Sequence, residues 1–207
     1  MNLTLRSYSF ADYPALLAIQ QACFPPPYPA DLLWTRAQVG SHAVIFPEGA
    51  LLAVVDGQPA GSCTAHCLNW EPDHPDHTWR QATDDGYLRN HDVRGNTLYG
   101  VDLAVAPAYR RQGVARALTQ AHHALVRERG LARYLAGYRL SGWHRHQHLD
   151  HAAYAAAVVR GDLSDPVVTP ALRSGMTPVR VMPGYLPDEE SGGAALLMCW
   201  TPGREAG

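Results

Sequence analysis

The sequence predicts an α/β (α+β) fold in which a sheet of about seven strands is flanked by helices. Three observations predict it. Val101, Leu103 and Val105 alternate with Asp102 and Ala104 in a β-favouring run that Pro107 stops, so a strand ends near Ala106. From Gln112 onward Val114, Ala117, Leu118, Ala121, Ala124 and Leu125 recur at helical spacing, which makes one long amphipathic helix. Residues 51–55, the turn Asp56-Gly57 and residues 60–68 read as a β-hairpin.

The remaining elements follow in chain order. Leu3 and Leu5 alternate with polar residues as a first strand, and Ser9 or Asp12 can cap a helix that runs through Ala22. Pro25, Pro26, Pro27 and Pro29 end that helix because proline removes the backbone donor. Residues 31–39 suit a second helix. Residues 69–96, rich in Asp, His, Pro and Gly, are too long for a hairpin loop and form an insertion with a helical turn around residues 78–82. After the long helix, Gly130 supplies a stop and residues 132–138 the next strand. Residues 141–150 form a histidine-rich loop, residues 151–159 a helix, and residues 179–182 and 194–200 a terminal strand pair around the loop 183–187. A single domain over residues 1–207, with insertions near 69–96 and 141–165, accounts for the chain.

Composition narrows the function. With 46% hydrophobic and 17% charged residues the chain suits a compact globule, and no apolar run reaches membrane-spanning length. The expectation is a cytoplasmic protein without a membrane partner. A net charge of -2 gives no electrostatic case for nucleic acid. Cys23, Cys63, Cys67 and Cys199 are scattered in mostly apolar surroundings and read as reduced core thiols.

The junction between the alternating strand and the long helix carries the chemistry. A helix start leaves backbone N–H groups unpaired and bears partial positive charge, so it suits a phosphate. Gly113 has no Cβ and Ala115 only a methyl, which lets a pyrophosphate approach the amides of residues 111–116, while Arg110, Arg111 and Arg116 add charge. The loop lacks the Gly-Lys-Ser/Thr of a Walker site and the three glycines of a dinucleotide fingerprint.

The order Arg110-x-x-Gly113-x-Ala115, directly after Leu103-Ala104-Val105, resembles the acetyl-CoA signature of the GCN5-related N-acetyltransferases (GNAT). That resemblance implies a mixed, mostly antiparallel sheet with a V-shaped splay between the fourth and fifth strands, open to the pantetheine arm. It implies acetyl-CoA as co-substrate, held by Leu103, Ala104, Val105, Arg110, Arg111, Gln112, Gly113, Val114, Ala115 and Arg116, with no metal. The implied reaction is direct acetyl transfer to a primary amine of a small molecule. A protein or peptide N-acetyltransferase and a non-catalytic acyl-CoA binding or sensing protein are the alternatives. The family's small proteins often pair as homodimers, which these residues leave open.

Asp102, an acid in an apolar strand, is the candidate base or substrate-orienting carboxylate, although alternation puts it on the opposite face from Val101 and Leu103. Family members usually carry a tyrosine acid where this chain has Ala171. Tyr138 and Tyr185 are therefore the candidate phenols. His144, His146, His148 and His151 read as a solvated loop or a polar rim of the acceptor pocket rather than a metal site.

Overall fold

The computed structural model describes residues 1–203. Seven strands, β1 (Leu3–Ser7), β2 (Ala50–Val55), β3 (Gln58–Leu68), β4 (Thr97–Val105), β5 (Arg133–Arg139), β6 (Thr177–Met182) and β7 (Ala195–Trp200), form one sheet in the order β1-β2-β3-β4-β5-β7-β6. Among the described residues only β4 and β5 run parallel. The expected strands are present, most with ends shifted by one or two residues.

Helices α1 (Tyr13–Cys23), α2 (Arg36–Ile45) and the short α3 (Trp79–Thr83) cover one face. There Leu16, Trp34, Val39 and Trp79 pack with Tyr99, Leu135 and Leu197. Helices α4 (Val114–Glu128), α5 (His151–Arg160) and α6 (Val168–Arg173) cover the other, where Leu125, Val126, Tyr154 and Val168 meet Leu98, Tyr134 and Met198. The start of α4 closes a third cluster, Val114 and Leu118 against Ala53, Val55 and Cys63.

The second helix lies later than residues 31–39. Residues 30–32 make only a single 3-10 turn, and Thr35 breaks the helix because its extended backbone caps α2. Thr35 Oγ1 accepts from the Gln38 amide at 3.2 Å, and Gln38 Oε1 accepts from the Thr35 amide at 2.8 Å.

Two features position the site. The β4–β5 pairing is short, running from Thr97↔Arg133 to Gly100↔Ala136, after which the strands part. In addition, β4 carries a bulge: Thr64 opposes Asp102 while the next β3 residue, Ala65, opposes Gly100. Two β4 residues therefore face one of β3, and the alternation is reset between them.

The segment 141–165 folds onto the second face through Asp165, which is 1% exposed. Its Oδ1 accepts from the Val167 and Val168 amides at 2.7 and 2.8 Å, and its Oδ2 from the Gly142 amide and the Tyr154 hydroxyl, both at 2.9 Å. One buried carboxylate thus caps α6 and ties both ends of the segment together. No helix among the described residues is long and apolar enough to cross a membrane.

Asp165→Ala strips these partners of their acceptor inside the core. It should lower unfolding stability by roughly 3 kcal/mol or more. Urea denaturation should show a lower midpoint at an unchanged slope.

Candidate active site

The turn after β4 is shaped for an anion. Arg111 and Gly113 both adopt left-handed backbone, at φ 62° and 84°, so the chain curls around Gln112, whose Nε2 donates to the Ala108 carbonyl at 2.9 Å. No side chain caps α4, and a Cβ built on Gly113 would meet nothing within 4 Å. The first amides of α4 therefore face an open approach. Among the described residues Arg111 and Arg116 are exposed with no ion-pair partner, whereas Arg110 folds back so that its Nε donates to the Val105 carbonyl at 3.2 Å. Of the three arginines, two are available to a pyrophosphate and the third fastens the loop to the strand. The residues present fit the diphosphate of coenzyme A.

Beyond Gly100 one edge of β4 faces the gap left by β5. The Ala106 amide donates to Ala60 of β3, so the even positions point to β3 and Val101, Leu103 and Val105 point to the gap. The Val101 carbonyl is taken by Trp79 Nε1 at 3.0 Å, and the Val105 carbonyl by Cys23 Sγ at 3.1 Å as well as Arg110. Leu103, 39% exposed, shares that edge between them.

Asp102 departs from the simple alternation. Because the bulge lets two neighbours share a face, Asp102 lies with Val101 on the α1 and α2 side, near Gln20 and Trp34. Its Oδ2 is sealed from solvent and unpartnered, as is Trp34 Nε1. Burial pushes the carboxyl up to about 7, while Gln20, Trp34 and the Arg139 charge pull it down without closing a hydrogen bond on Oδ2. A carboxyl at that value exchanges protons near neutrality, as a general base must.

A cavity of about 90 Å³ lies at the end of β5. It is lined by residues 23–28, by Arg139 at the end of β5 and by Asp188, Glu189 and Glu190. Arg139 donates to Asp188 Oδ1 at 2.8 Å, lies 3.8 Å from Glu190, and stacks over Phe24 and Tyr28 with centroids 5.6 and 5.1 Å away. Three carboxylates against one guanidinium leave the cavity walls acidic, which suits a cationic guest.

The two candidate phenols lie on opposite faces. Tyr138 packs toward Tyr134 among the residues under α5 and α6, where burial raises its pKa. Tyr185 packs on the Asp102 side, and its Cζ would lie 2.4 Å from a Cβ on Gly137, the first β5 residue past the pairing. Its hydroxyl bonds that of Tyr99 at 2.8 Å, which in turn meets His77 Nε2 at 2.9 Å. His77, Trp79 and Tyr99 are site residues that strand and helix periodicity does not single out, and neither are Gln20, Trp34, Arg139 and Asp188.

Other reactive pairs are built into the core. Cys63 Sγ lies 3.3 Å from His122 Nε2, but burial raises the thiol and lowers the imidazole to about 4, which keeps both neutral. In the histidine loop His151 packs on Trp143 and His146 on Tyr154. No cluster of three or more metal-ligating side chains occurs among the described residues.

Comparison with known proteins supplies the kinship. The model of the acetyltransferase (GNAT) family matches residues 13–141. The uncharacterized N-acetyltransferase YkwB of Bacillus subtilis (strain 168) is 43% identical over 199 residues, 96% of this chain and 88% of that protein. The loading GNATL domain of CurA from Lyngbya majuscula superposes at a TM-score of 0.83 and 17% identity, over 97% of this chain and 98% of that one. The GphF GNAT-like decarboxylase, in complex with isobutyryl-CoA, gives 0.79 at 23% identity, over 96% and 98%. These two likenesses concern the fold.

Gly113→Asp sets a carboxylate into the anion approach, whereas Gly113→Ala adds only the strain of a left-handed alanine, of order 1 kcal/mol. Titration calorimetry should show acetyl-CoA binding weakened at least about tenfold by the aspartate and clearly less by the alanine.

Proposed function

Because the chain belongs to the acetyltransferase (GNAT) family, we propose that this acyltransferase moves an acetyl group from acetyl-CoA directly to the primary amine of a small molecule in the cytoplasm. The observation that carries the acceptor assignment is the small acidic cavity at the end of β5, whose lining residues Cys23 and Tyr28 feel the charge of Asp102. A protonated amine is drawn by the carboxylates, and a volume of about 90 Å³ favours a compact acceptor over a folded polypeptide segment.

The chain's own groups divide the labour. The α4 amides with Arg111 and Arg116 hold the diphosphate, and the gap-facing edge of β4 at Leu103 orients the pantetheine arm. Asp102, as carboxylate, takes a proton from the substrate ammonium so that a neutral nitrogen can attack. The nitrogen then bonds to the carbonyl carbon while the carbon–sulfur bond breaks, its electron pair leaving on sulfur. Asp102 releases the first proton to solvent, accepts the second from the acylated nitrogen and releases that one too, and the weakly basic thiolate takes one proton up from solvent.

A second reading, decarboxylation of a carboxyacyl-CoA, draws on the full-length likeness to a GNAT-like decarboxylase. The acidic cavity opposes it, since a substrate carboxylate would meet Asp188, Glu189 and Glu190. The deciding experiment supplies acetyl-CoA with a panel of small amines, and malonyl-CoA alone. Amine-dependent release of free thiol supports acetyl transfer, whereas amine-independent conversion of malonyl-CoA to acetyl-CoA and CO₂ selects the second reading.

The Asp102 carboxyl works as a base only when ionised, and its folded-state pKa is about 7. With acetyl-CoA saturating, kcat/KM for the amine should therefore rise with pH and level off above about 7. Asp102→Asn should lower kcat far more than acetyl-CoA affinity and abolish this limb of the profile. The stability sign is opposite. A carboxyl raised in the folded state binds its proton more tightly there than in the unfolded chain, so this group's contribution falls as pH rises from about 4 to about 7.

A further inference from the structure

The chain His77–Tyr99–Tyr185 begins in the 69–96 insertion, crosses β4 and ends at the point where β4 and β5 part. None of its members belongs to the acid–base role assigned to Asp102. We propose that Tyr185 donates its hydroxyl proton in a hydrogen bond to the thioester carbonyl oxygen of bound acyl-CoA, with Tyr99 and His77 as positioning residues that aim it. The inference rests on the reading that the parted strands receive the thioester.

Placement comes first. The last paired residues are Gly100 and Ala136, and Gly137 is the next position on β5. Only a glycine admits Tyr185 there, because a Cβ would lie 2.4 Å from its Cζ and 2.7 Å from its hydroxyl oxygen. The Gly137 amide acts on that oxygen and stabilises its charged form. The phenol is thus pressed against the vertex, not merely buried near it.

Direction comes from the histidine. His77 Nε2 meets the Tyr99 hydroxyl at 2.9 Å, and the ring also interacts with the Pro75 carbonyl, which accepts from His74 Nδ1 at 2.9 Å. Burial holds the imidazole below its ordinary value, so one nitrogen carries the single proton. We place that proton on Nε2, from which His77 donates to Tyr99. Tyr99 then donates to Tyr185 across a bond that admits either oxygen as donor. With the Gly137 amide also directed at the Tyr185 oxygen, the Tyr185 proton is left for a guest at the vertex.

Chemistry selects hydrogen-bond donation over proton transfer. Burial pushes the Tyr185 phenol up to about 12. A leaving thiolate, with a pKa of about 8.5, is too weak a base to take that proton, but a carbonyl oxygen gathering negative charge can share it. No proton changes owner in this contact, and the bond changes remain those of acetyl transfer.

The test uses acetyl-CoA labelled with ¹³C at the thioester carbonyl, bound to the full chain, with the carbonyl stretch read by difference infrared spectroscopy. The band should shift to lower frequency on binding wild type, and Tyr185→Phe should cancel most of that shift while weakening acetyl-CoA affinity by no more than about tenfold. Where an amine is acetylated, Tyr185→Phe should lower kcat about 100-fold. Tyr99→Phe and His77→Leu should each lose part of the shift, His77→Gln should retain it by keeping a donor, and Tyr99→Phe/Tyr185→Phe should be no slower than Tyr185→Phe alone. A shift present in wild type and lost in Tyr185→Phe supports the proposal even if no amine is acetylated, a result that sinks only acetyl transfer. A band at the same frequency in wild type and Tyr185→Phe overturns it, whatever the turnover.

Discussion

The brevity of the parallel pairing between β4 and β5 governs everything else in the molecule. Four residue pairs hold the strands together, and then three side chains make further zipping impossible. Trp79 Nε1 occupies the Val101 carbonyl that the next β5 amide would need. Tyr185 presses on Gly137 from one face, and the Tyr134 hydroxyl fills the space over Gly100 from the other, 2.0 Å from where a Cβ would stand. A parallel strand pair exposes backbone donors and acceptors wherever it opens, which is costly unless something takes them up. Here part of that demand is met internally, and the gap-facing edge at Leu103, 39% exposed, is left open.

Much of this was legible in the sequence because it is local. The anion turn can be read from Arg110, Gly113 and Ala115 between an alternating strand and an amphipathic helix, and the structure adds to the uncapped helix start the left-handed backbone of Arg111 and Gly113. The seven strands emerge from their own periodicities. What stayed hidden depends on register and on distant chain segments. Alternation alone sets Asp102 against Val101, and only the bulge opposite Thr64 and Ala65 brings them to one face. Periodicity also carries no information on which loop reaches the vertex, so His77 and Trp79 lie unremarked in a polar insertion. Residues 31–39 read as helical by composition, yet the Thr35 and Gln38 cap moves the helix to Arg36–Ile45.

The electrostatics of the acceptor side form a single system. Asp102 pays for its burial with a raised pKa, since neither Gln20 nor Trp34 completes a hydrogen bond on Oδ2. Arg139 could have paired with it directly, but Asp188, 2% exposed and also bonded by Ser191, holds the guanidinium instead, with Phe24 and Tyr28 stacked beneath. The arginine therefore braces the proline-rich loop against residues 188–191 and leaves Asp102 short of a cation. In the proposed function an incoming ammonium would supply one. Its approach would lower the Asp102 pKa, moving the carboxyl from a proton-sharing state to an ionised one as the acceptor arrives.

The absence of a phenol at position 171 acquires a structural explanation on the same basis. Ala171 is 5% exposed and packs on the α5 and α6 face, together with Tyr154 and Met176. A tyrosine there would have to displace that packing to reach the vertex. The Asp102 side has a different supplier, because the 69–96 insertion and the loop carrying Tyr185 meet there, with the Trp79 amide donating to the Tyr185 carbonyl at 2.8 Å. That one backbone bond joins the indole that blocks β4 to the phenol that blocks β5. The insertion is thereby part of the frame that keeps the strands apart, and shortening it would remove His77 and Trp79 together, undoing both the gap and the aim of Tyr185.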